Sequence, residues 1–153
     1  MEKNKDEYYM SLAIKEALKS KDIDEVPVGC IIVKDDNVIA RGHNMRETMH
    51  LSLAHAEILA IKEACSKLND WRLEGCTMYI TLEPCVMCSG AIIQSRIPNV
   101  VYGAKDYRFG THVSIINLFD VKFNHTVNIY GGILEEECSS MLTSFFSELR
   151  KRS

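Results

Sequence analysis

Two short motifs, separated by 30 residues, constrain the fold more than any other feature of the chain. The first is H-A-E, with His55 and Glu57, and the second is P-C-V-M-C, with Cys85 and Cys88. Residues two apart on a helix point in very different directions, so His55 and Glu57 can serve one site only where that site faces the start of their helix. Cys85 and Cys88 share one face in the first turn of the next predicted helix. We therefore expect two helix N-termini to converge, and their partial positive charges favour thiolates.

Two thiolates and one imidazole would give a metal site with three protein ligands. Structural zinc sites have four closed ligands, whereas catalytic sites keep one tetrahedral position for water. We therefore predict one catalytic Zn²⁺ per subunit, held by His55, Cys85 and Cys88. Glu57 is left to take a proton from the zinc-bound water and deliver it to the substrate. The remaining cysteines lack ligand spacing and are predicted to be core thiols: Cys30, Cys65, Cys76 and Cys138.

Hydrophobic periodicity predicts helices and strands that alternate along most of the chain. Three of the predicted helices are Asp6–Ser20, His55–Leu68 and Glu135–Arg150. The remaining predicted helix has Pro84 in its first turn, follows the helical pattern over Val86–Ile93 and extends up to Arg96. The predicted strands are Val28–Val33, Val38–Ala40, Thr77–Leu82, Asn99–Gly103 and Val127–Tyr130. A turn at residues 35–37 joins the first two strands into a hairpin, and the later alternation implies parallel crossovers. We predict an α/β fold with a mixed sheet, an antiparallel N-terminal hairpin and helices on both faces.

Length and composition favour one compact unit. A chain of 153 residues is about one domain long, and because no repeat or linker divides it we expect a single domain over residues 1–153. No apolar run has the length of a signal peptide or a membrane span, which favours a cytoplasmic protein with reduced thiols and no membrane contact. A net charge of −3 argues against a protein that coats nucleic acid, so any such contact has to be local.

Further segments extend the two motifs into a resemblance to a known family. H-x-E with P-C-x-x-C is the signature of zinc deaminases, and the chain resembles the bacterial tRNA-specific adenosine deaminases over roughly residues 6–150. The resembling segments are E-V-P-V-G at 25–29, H-N-x-R at 43–46, T-L-E-P-C at 81–85, S-R-I-P at 95–98, V-V-Y-G-A at 100–104 and F-N-H at 123–125. The resemblance implies a cytidine-deaminase-like, three-layer α/β/α sandwich with a five-stranded sheet. It also implies a homodimer that hydrolytically converts the wobble adenosine of tRNA to inosine and releases ammonia.

The resemblance also implies roles for individual residues in substrate binding. Asn44 would hydrogen-bond the flipped base, and the backbone around Pro27, Val28 and Gly29 would line the pocket that receives it. Contacts to the splayed tRNA anticodon loop are implied for Asn124, His125, Phe145, Phe146 and Arg150. The chain departs from the family pattern at Cys30, where alanine is common, and in the loop at 105–112, where Tyr107 and Phe109 replace small residues.

Other interpretations of these residues remain open at the level of sequence. Cys-x-x-Cys at a helix start is also typical of a thioredoxin-like redox pair, which leaves His55 and Glu57 unexplained. A binding module without catalysis would be expected to lose Glu57 first. A zinc deaminase of a free base or nucleoside, of the guanine or cytosine type, would share the motifs and differ in the pocket loop and the C-terminal segment. Structural roles also fit several of the remaining residues: loop capping for Asn44, Asn124 and His125, a solvated tail for Arg150, and core packing for at least one of Phe145 and Phe146.

Overall fold

A computed structural model describes residues 2–152 and contains every predicted element. Its helices are α1 (Glu2–Asp22), α2 (Ala56–Leu68), α3 (Val86–Gln94) and α4 (Glu135–Arg152), and its strands are β1 (Gly29–Lys34), β2 (Asn37–His43), β3 (Cys76–Leu82), β4 (Asn99–Ala104) and β5 (Asn128–Tyr130). A 3-10 turn, Leu118–Asp120, lies between β4 and β5. The largest differences from the predicted bounds are at α1, which begins four residues earlier, and β2, which ends three residues later. No helix within residues 2–152 combines the length and the apolar character needed to cross a membrane.

The five strands form one mixed sheet in the order β2-β1-β3-β4-β5. Strand β1 is antiparallel to both β2 and β3, whereas β3, β4 and β5 run parallel to one another. The predicted mixed sheet with an antiparallel hairpin is therefore confirmed. Because β3 and β4 are parallel, their last paired residues, Leu82 and Ala104, lie side by side at one edge of the sheet. The chain enters α3 from that edge.

Side chains alternate across the strands and build two cores, one on each face of the sheet. The core under α2 and α3 contains residues such as Ala60, Ile61, Ile92, Ile32, Met78 and Val100. The core under α1 contains residues such as Met10, Ala13, Ile31, Tyr79 and Val101, and it reaches Cys138 of α4. Helices thus cover both faces, which confirms the three-layer α/β/α sandwich.

The four cysteines outside the motifs were predicted to be core thiols, and three of them are. Cys30, Cys76 and Cys138 are fully buried, and burial is the main reason that the pKa of each thiol is raised. Cys65 differs, because it lies at the edge of the core, half-buried, with its Sγ 3.8 Å from the carbonyl oxygen of Trp71. The predicted apolar stripe of α2 is present, but it is wider than the face of the helix that packs on the sheet, and Cys65 lies at its margin.

Two glycines let the helices approach the hairpin very closely. A Cβ at Gly29 would lie 2.1 Å from the carbonyl oxygen of Ala13 in α1, and a Cβ at Gly42 would lie 2.3 Å from the carbonyl oxygen of Ala56 in α2. Since both obstructing atoms belong to backbone, neither contact can be relieved by a side-chain rotation. The hairpin is therefore clamped between two helices, and α2 begins against it.

Replacing Gly29 by alanine tests this packing. We expect Gly29→Ala to lower the free energy of unfolding by about 3 kcal/mol, at the upper end of the cost of overpacking, because the backbone of α1 has to move away. Gly90→Ala is the matched control: it lies inside α3, a Cβ there meets nothing within 4 Å, and alanine favours a helix by about 0.5–1 kcal/mol over glycine. Urea denaturation of both variants measures the difference, and equal stabilities would contradict the packing described.

Candidate metal centre and substrate pocket

The structure brings His55, Cys85 and Cys88 together at the starts of two helices. His55 occupies the N-cap position of α2 and Cys85 that of α3, while Cys88 lies in the first turn of α3. His55 Nδ1 is 3.6 Å from Cys85 Sγ and 3.5 Å from Cys88 Sγ. The three donor atoms lie within 4.8 Å of one another. The expected convergence of two helix N-termini is what positions them.

These three donors fit a tetrahedral zinc ion. With Zn–S near 2.3 Å and Zn–N near 2.0 Å, tetrahedral angles hold a sulfur and a nitrogen ligand about 3.5 Å apart, and both measured S–N distances agree with that value. Two thiols and one imidazole are also the soft and borderline donors that zinc prefers. Because the cluster contains three protein ligands, a fourth tetrahedral position is left for water or substrate.

The surroundings of Cys85 favour a thiolate. A hydrogen bond from the Cys88 thiol is the main influence that lowers the pKa of Cys85 to about 4, and further hydrogen bonds from His55 and from the Cys88 amide act in the same direction. The same contact with Cys85 raises the pKa of Cys88, as does burial. Cys85 is thus already prepared to act as a metal ligand.

Glu57, two residues after His55, is a buried acid beside the same cluster. Its side chain is 4% exposed, in the first turn of α2 beside the Cys88 thiol. Burial raises the pKa of Glu57 to about 7, because a carboxylate that has lost its hydration is less stable than the neutral acid. A carboxyl group with such a pKa can both accept and donate a proton near neutral pH.

The cluster lies at the floor of a cavity of about 520 Å³. The floor and inner wall are formed by His55, Glu57, Cys85, Val26, Val28 and Asn44. The mouth carries three cations, one carboxylate and three aromatic rings: Arg46, Lys105, Arg108, Asp106, Tyr107, Phe109 and Phe146. A chain with an overall negative charge therefore presents a locally basic and aromatic rim.

Asn44 and the segment before β1 lie at the pocket, as the resemblance implies, but only in part. The Asn44 side chain donates from Nδ2 to the Val26 carbonyl at 3.2 Å and accepts from the Arg46 amide at 3.2 Å. The loop-capping interpretation of Asn44 is thus compatible with its position in the pocket wall. Val28 lines the cavity, whereas Pro27 and Gly29 do not. Gly29 instead packs against the backbone of α1.

The residues implied for the anticodon loop are divided by the structure. Phe146 lines the pocket, whereas Phe145 is 3% exposed and packs in the core, as expected for at least one of the pair. Arg150 is exposed one turn beyond Phe146. Asn124 is exposed outside the pocket, and His125 lies in a separate cavity with its Nε2 2.8 Å from the Ile97 carbonyl oxygen.

Several residues that line the pocket lay outside the site predicted from the sequence. Arg46 and Leu142 are two of them, and Glu83 is a third, whose carboxylate accepts five hydrogen bonds from the loop at the pocket mouth. The signal for Glu83 was its place in the T-L-E-P-C segment. Leu142 could have been found from its spacing, because it lies four residues before Phe146 on the same face of α4.

Comparisons with known proteins agree with the fold and the site. The family described as "Cytidine and deoxycytidylate deaminase zinc-binding region" matches residues 3–104, which include all three candidate ligands and Glu57. That match covers well over half of the chain, so the chain belongs to this family of zinc-binding deaminases.

Individual relatives carry names that are more specific than that of the family. A protein of Bacillus subtilis (strain 168) named tRNA-specific adenosine deaminase is 52% identical over 148 residues, which cover 96% of this chain and 92% of the relative. A solved structure from work on A-to-I editing by tRNA:A34 deaminases superposes with a TM-score of 0.85 at 40% identity, covering 88% of this chain and 99% of that chain. A guanine deaminase of Bacillus subtilis gives a TM-score of 0.62 at 29% identity, covering 77% of this chain and 86% of that chain.

Loss of one ligand should abolish metal binding. We expect Cys88→Ala to weaken zinc binding by more than the roughly 10–100-fold that follows from changing residues that only support ligands. Cys138→Ala is the matched control, because Cys138 is equally buried but lies on the opposite face of the sheet. Zinc content after dialysis, measured by mass spectrometry, distinguishes them, and a full complement of zinc in Cys88→Ala would contradict the ligand assignment.

Proposed function

We propose that this protein deaminates adenosine to inosine at the wobble position of a tRNA anticodon. The observation that carries the proposal is the convergence of three zinc ligands and the buried Glu57 at the floor of a pocket with a basic and aromatic rim. Hydrolytic deamination needs a nucleophilic water and a group that moves protons. The Bacillus subtilis relative named tRNA-specific adenosine deaminase matches over 96% of this chain, and the structure from work on tRNA:A34 deaminases matches over 88% of it.

The residues of the floor divide the chemistry between them. His55, Cys85 and Cys88 hold the zinc, which when bound supplies a water acidic enough to act as a nucleophile near neutral pH. Glu57 accepts a proton from the attacking water at its carboxylate and passes protons to the ring nitrogen and to the departing amino group. Water and adenosine are consumed, and inosine and ammonia leave. Asn44, beside the floor, is positioned to bind the edge of the flipped base.

The rim supports a single-stranded RNA substrate. Unpaired bases stack on aromatic side chains, and phosphates pair with Lys and Arg. Arg46, Lys105 and Arg108 supply cations around the mouth, and Phe146 offers a partly exposed ring. Leu142, Phe146 and Arg150 follow one another at four-residue spacing along α4, so that Arg150 extends the same face beyond the pocket. Asn124 and His125 remain proposed contacts for a part of the RNA outside the pocket.

A deaminase of a free base, such as guanine, is the second candidate. The solved guanine deaminase shares the fold at 29% identity, which is well below the identity to the tRNA enzyme. A free base also gives no reason for three cations and exposed aromatic rings outside a buried catalytic floor. One assay separates the tRNA substrate from a free base. Ammonia release is measured with an anticodon stem-loop that carries adenosine at the wobble position, and with free adenosine, guanine and cytosine. Activity on free bases alone would overturn the choice of substrate.

We propose further that residues 1–153 form one domain that acts as a homodimer in the cytoplasm, where tRNA substrates are found and thiols stay reduced. A single sheet carries all the helices of the described part of the chain, which supports one domain. Five large apolar side chains in the segment between β4 and β5 are about half exposed, and exposed apolar surface favours a protein contact: Val113, Ile115, Ile116, Val121 and Phe123. Light scattering coupled to gel filtration measures the mass, and a monomer at micromolar concentration would contradict the dimer.

Removing the carboxylate of Glu57 should stop the chemistry and leave the fold intact. We expect Glu57→Gln to lower kcat by about 10²–10⁴, the usual contribution of general acid–base catalysis, with zinc content unchanged. Glu63→Gln is the control on the same helix, because Glu63 is exposed outside the pocket and contacts only the Arg41 amide among the described residues. Inosine formation in the stem-loop is the measurement, and near-normal turnover of Glu57→Gln would refute the role.

Charge reversal on α4 tests the RNA surface. We expect Arg150→Glu to weaken binding of the stem-loop and to reduce the slope of log Kd against log salt by about 0.7–0.9, the value for one phosphate contact. Lys62→Glu, at an exposed position of α2 that does not line the pocket, serves as the control for net charge. Fluorescence anisotropy over a range of salt concentrations gives both quantities. Identical affinities of the two variants would assign Arg150 to a solvated tail.

A further inference from the structure

Segment 106–114 forms one wall of the pocket mouth and belongs to no helix or strand. It carries Tyr107 and Phe109, which are 74% and 65% exposed. Its internal hydrogen bonds are few: the Asp106 carboxylate accepts from the amides of Arg108 and Phe109, and the Gly110 amide donates to the Asp106 carbonyl. Because exposed aromatic residues gain nothing from burial here, the conformation of the segment has to be held from elsewhere.

Glu83 holds it through five hydrogen bonds. Its Oε1 accepts from the Asp106 amide at 3.0 Å and from the Ser114 hydroxyl at 2.5 Å. Its Oε2 accepts from the amides of His112, Val113 and Ser114 at 2.8, 2.9 and 3.2 Å. Glu83 is 1% exposed, and it is absent from the ion pairs of residues 2–152. The buried charge is therefore balanced by the segment that it binds.

Backbone contacts join the same two parts of the chain. The Glu83 amide donates to the Ala104 carbonyl at 2.8 Å, and both the amide and the hydroxyl of Thr111 donate to the Pro84 carbonyl at 3.1 and 3.0 Å. Gly110 fits directly over the carboxylate, since a Cβ there would lie 2.5 Å from Glu83 Oε1. Cys85, a zinc ligand, follows Pro84 directly. One short peptide thus positions a metal ligand on one side and the pocket rim on the other.

We propose that Glu83 is a positioning residue for the substrate, because its carboxylate holds segment 106–114 so that Tyr107, Arg108 and Phe109 stand ready at the pocket mouth. The two rings then offer stacking faces for unpaired bases next to the flipped one, and Arg108 offers a partner for phosphate. Glu83 acts through the segment and takes no part in proton transfer. The identity of the substrate rests on the proposed function, whereas the anchoring of the segment does not.

Hydrogen exchange of the zinc-loaded full chain tests the anchor directly. In Glu83→Gln one carboxylate oxygen becomes an NH₂ group that cannot accept from an amide: the bond to the Asp106 amide is lost if the nitrogen replaces Oε1, and three amide bonds are lost if it replaces Oε2. We expect backbone amides in segment 106–114 to exchange about tenfold faster or more, since local opening becomes easier. Amides of β1 should be unchanged. Trypsin cleavage after Lys105 and Arg108 should accelerate in parallel.

Two further variants separate anchoring from general stability. Asp6→Asn is the matched control, because Asp6 is also a buried carboxylate, 7% exposed, which accepts hydrogen bonds from Tyr79 and Tyr130 on the other face of the sheet. It should lower the melting temperature without accelerating exchange in the segment. Ser114→Ala removes one of the five hydrogen bonds and keeps the charge. It should produce a smaller acceleration than Glu83→Gln, and it tests the anchor even where Glu83→Gln does not fold.

Kinetics connect the anchor to the substrate. We expect Glu83→Gln and Ser114→Ala to raise KM for the anticodon stem-loop, by about tenfold and twofold to threefold respectively, with kcat within a factor of two and zinc content unchanged. Exchange in the segment that is equal to that of the unmodified protein would overturn the proposal, and so would an unchanged KM in Glu83→Gln that retains its zinc. If no form of the protein deaminates the stem-loop, the proposed function fails, while the exchange result still decides whether Glu83 anchors the segment.

Discussion

The starts of two helices have to meet at one point in this protein, and most of its architecture serves that requirement. His55 begins α2 and Cys85 begins α3, and their donor atoms come within 3.6 Å of each other. The parallel pairing of β3 with β4 puts the start of α3 at one edge of the sheet. Gly42 lets α2 approach the hairpin closely enough to bring His55 to the same edge. The hairpin, the crossover and the glycine are thus parts of one geometric solution.

Much of the fold could be predicted because its signals are local. Helical stripes, β-branched runs and a turn at residues 35–37 each occupy a short window, and the elements they predict are present. The metal cluster was predictable for the same reason, since each motif lies within one helical turn. Phe145 and Phe146 could not be told apart, because neighbouring residues on a helix face different directions and only the docking of α4 decides which one is buried. The surroundings of His125 could not be predicted, because its neighbours come from distant parts of the chain.

The pocket also shows how a chain with a net charge of −3 can be suited to an anionic substrate. Of the three acids that line the pocket, Glu57 and Glu83 are nearly inaccessible to solvent and Asp106 is half-buried, whereas Arg46, Lys105 and Arg108 lie around the mouth. Burial and hydrogen bonds limit how far the field of the inner carboxylates reaches. An approaching phosphate therefore meets the local cations at distances within a Debye length, about 8 Å at physiological ionic strength, and hardly senses the rest of the surface.

At the N-cap positions of α2 and α3, metal ligands stand where other side chains would stabilise the helix start better. Serine, threonine, aspartate and asparagine are the residues that best stabilise a helix start, by about 0.5–2 kcal/mol over a poor cap, yet these positions hold His55, with no capping hydrogen bond from its side chain, and Cys85. Any drift toward a better cap would remove a metal ligand. The stability of α2 therefore has to come from its packing on the sheet, where Ala56, Ala60 and Ala64 are fully buried. Mutational tolerance should accordingly be low along that stripe, including at Ala60 and Ala64, which do not line the pocket.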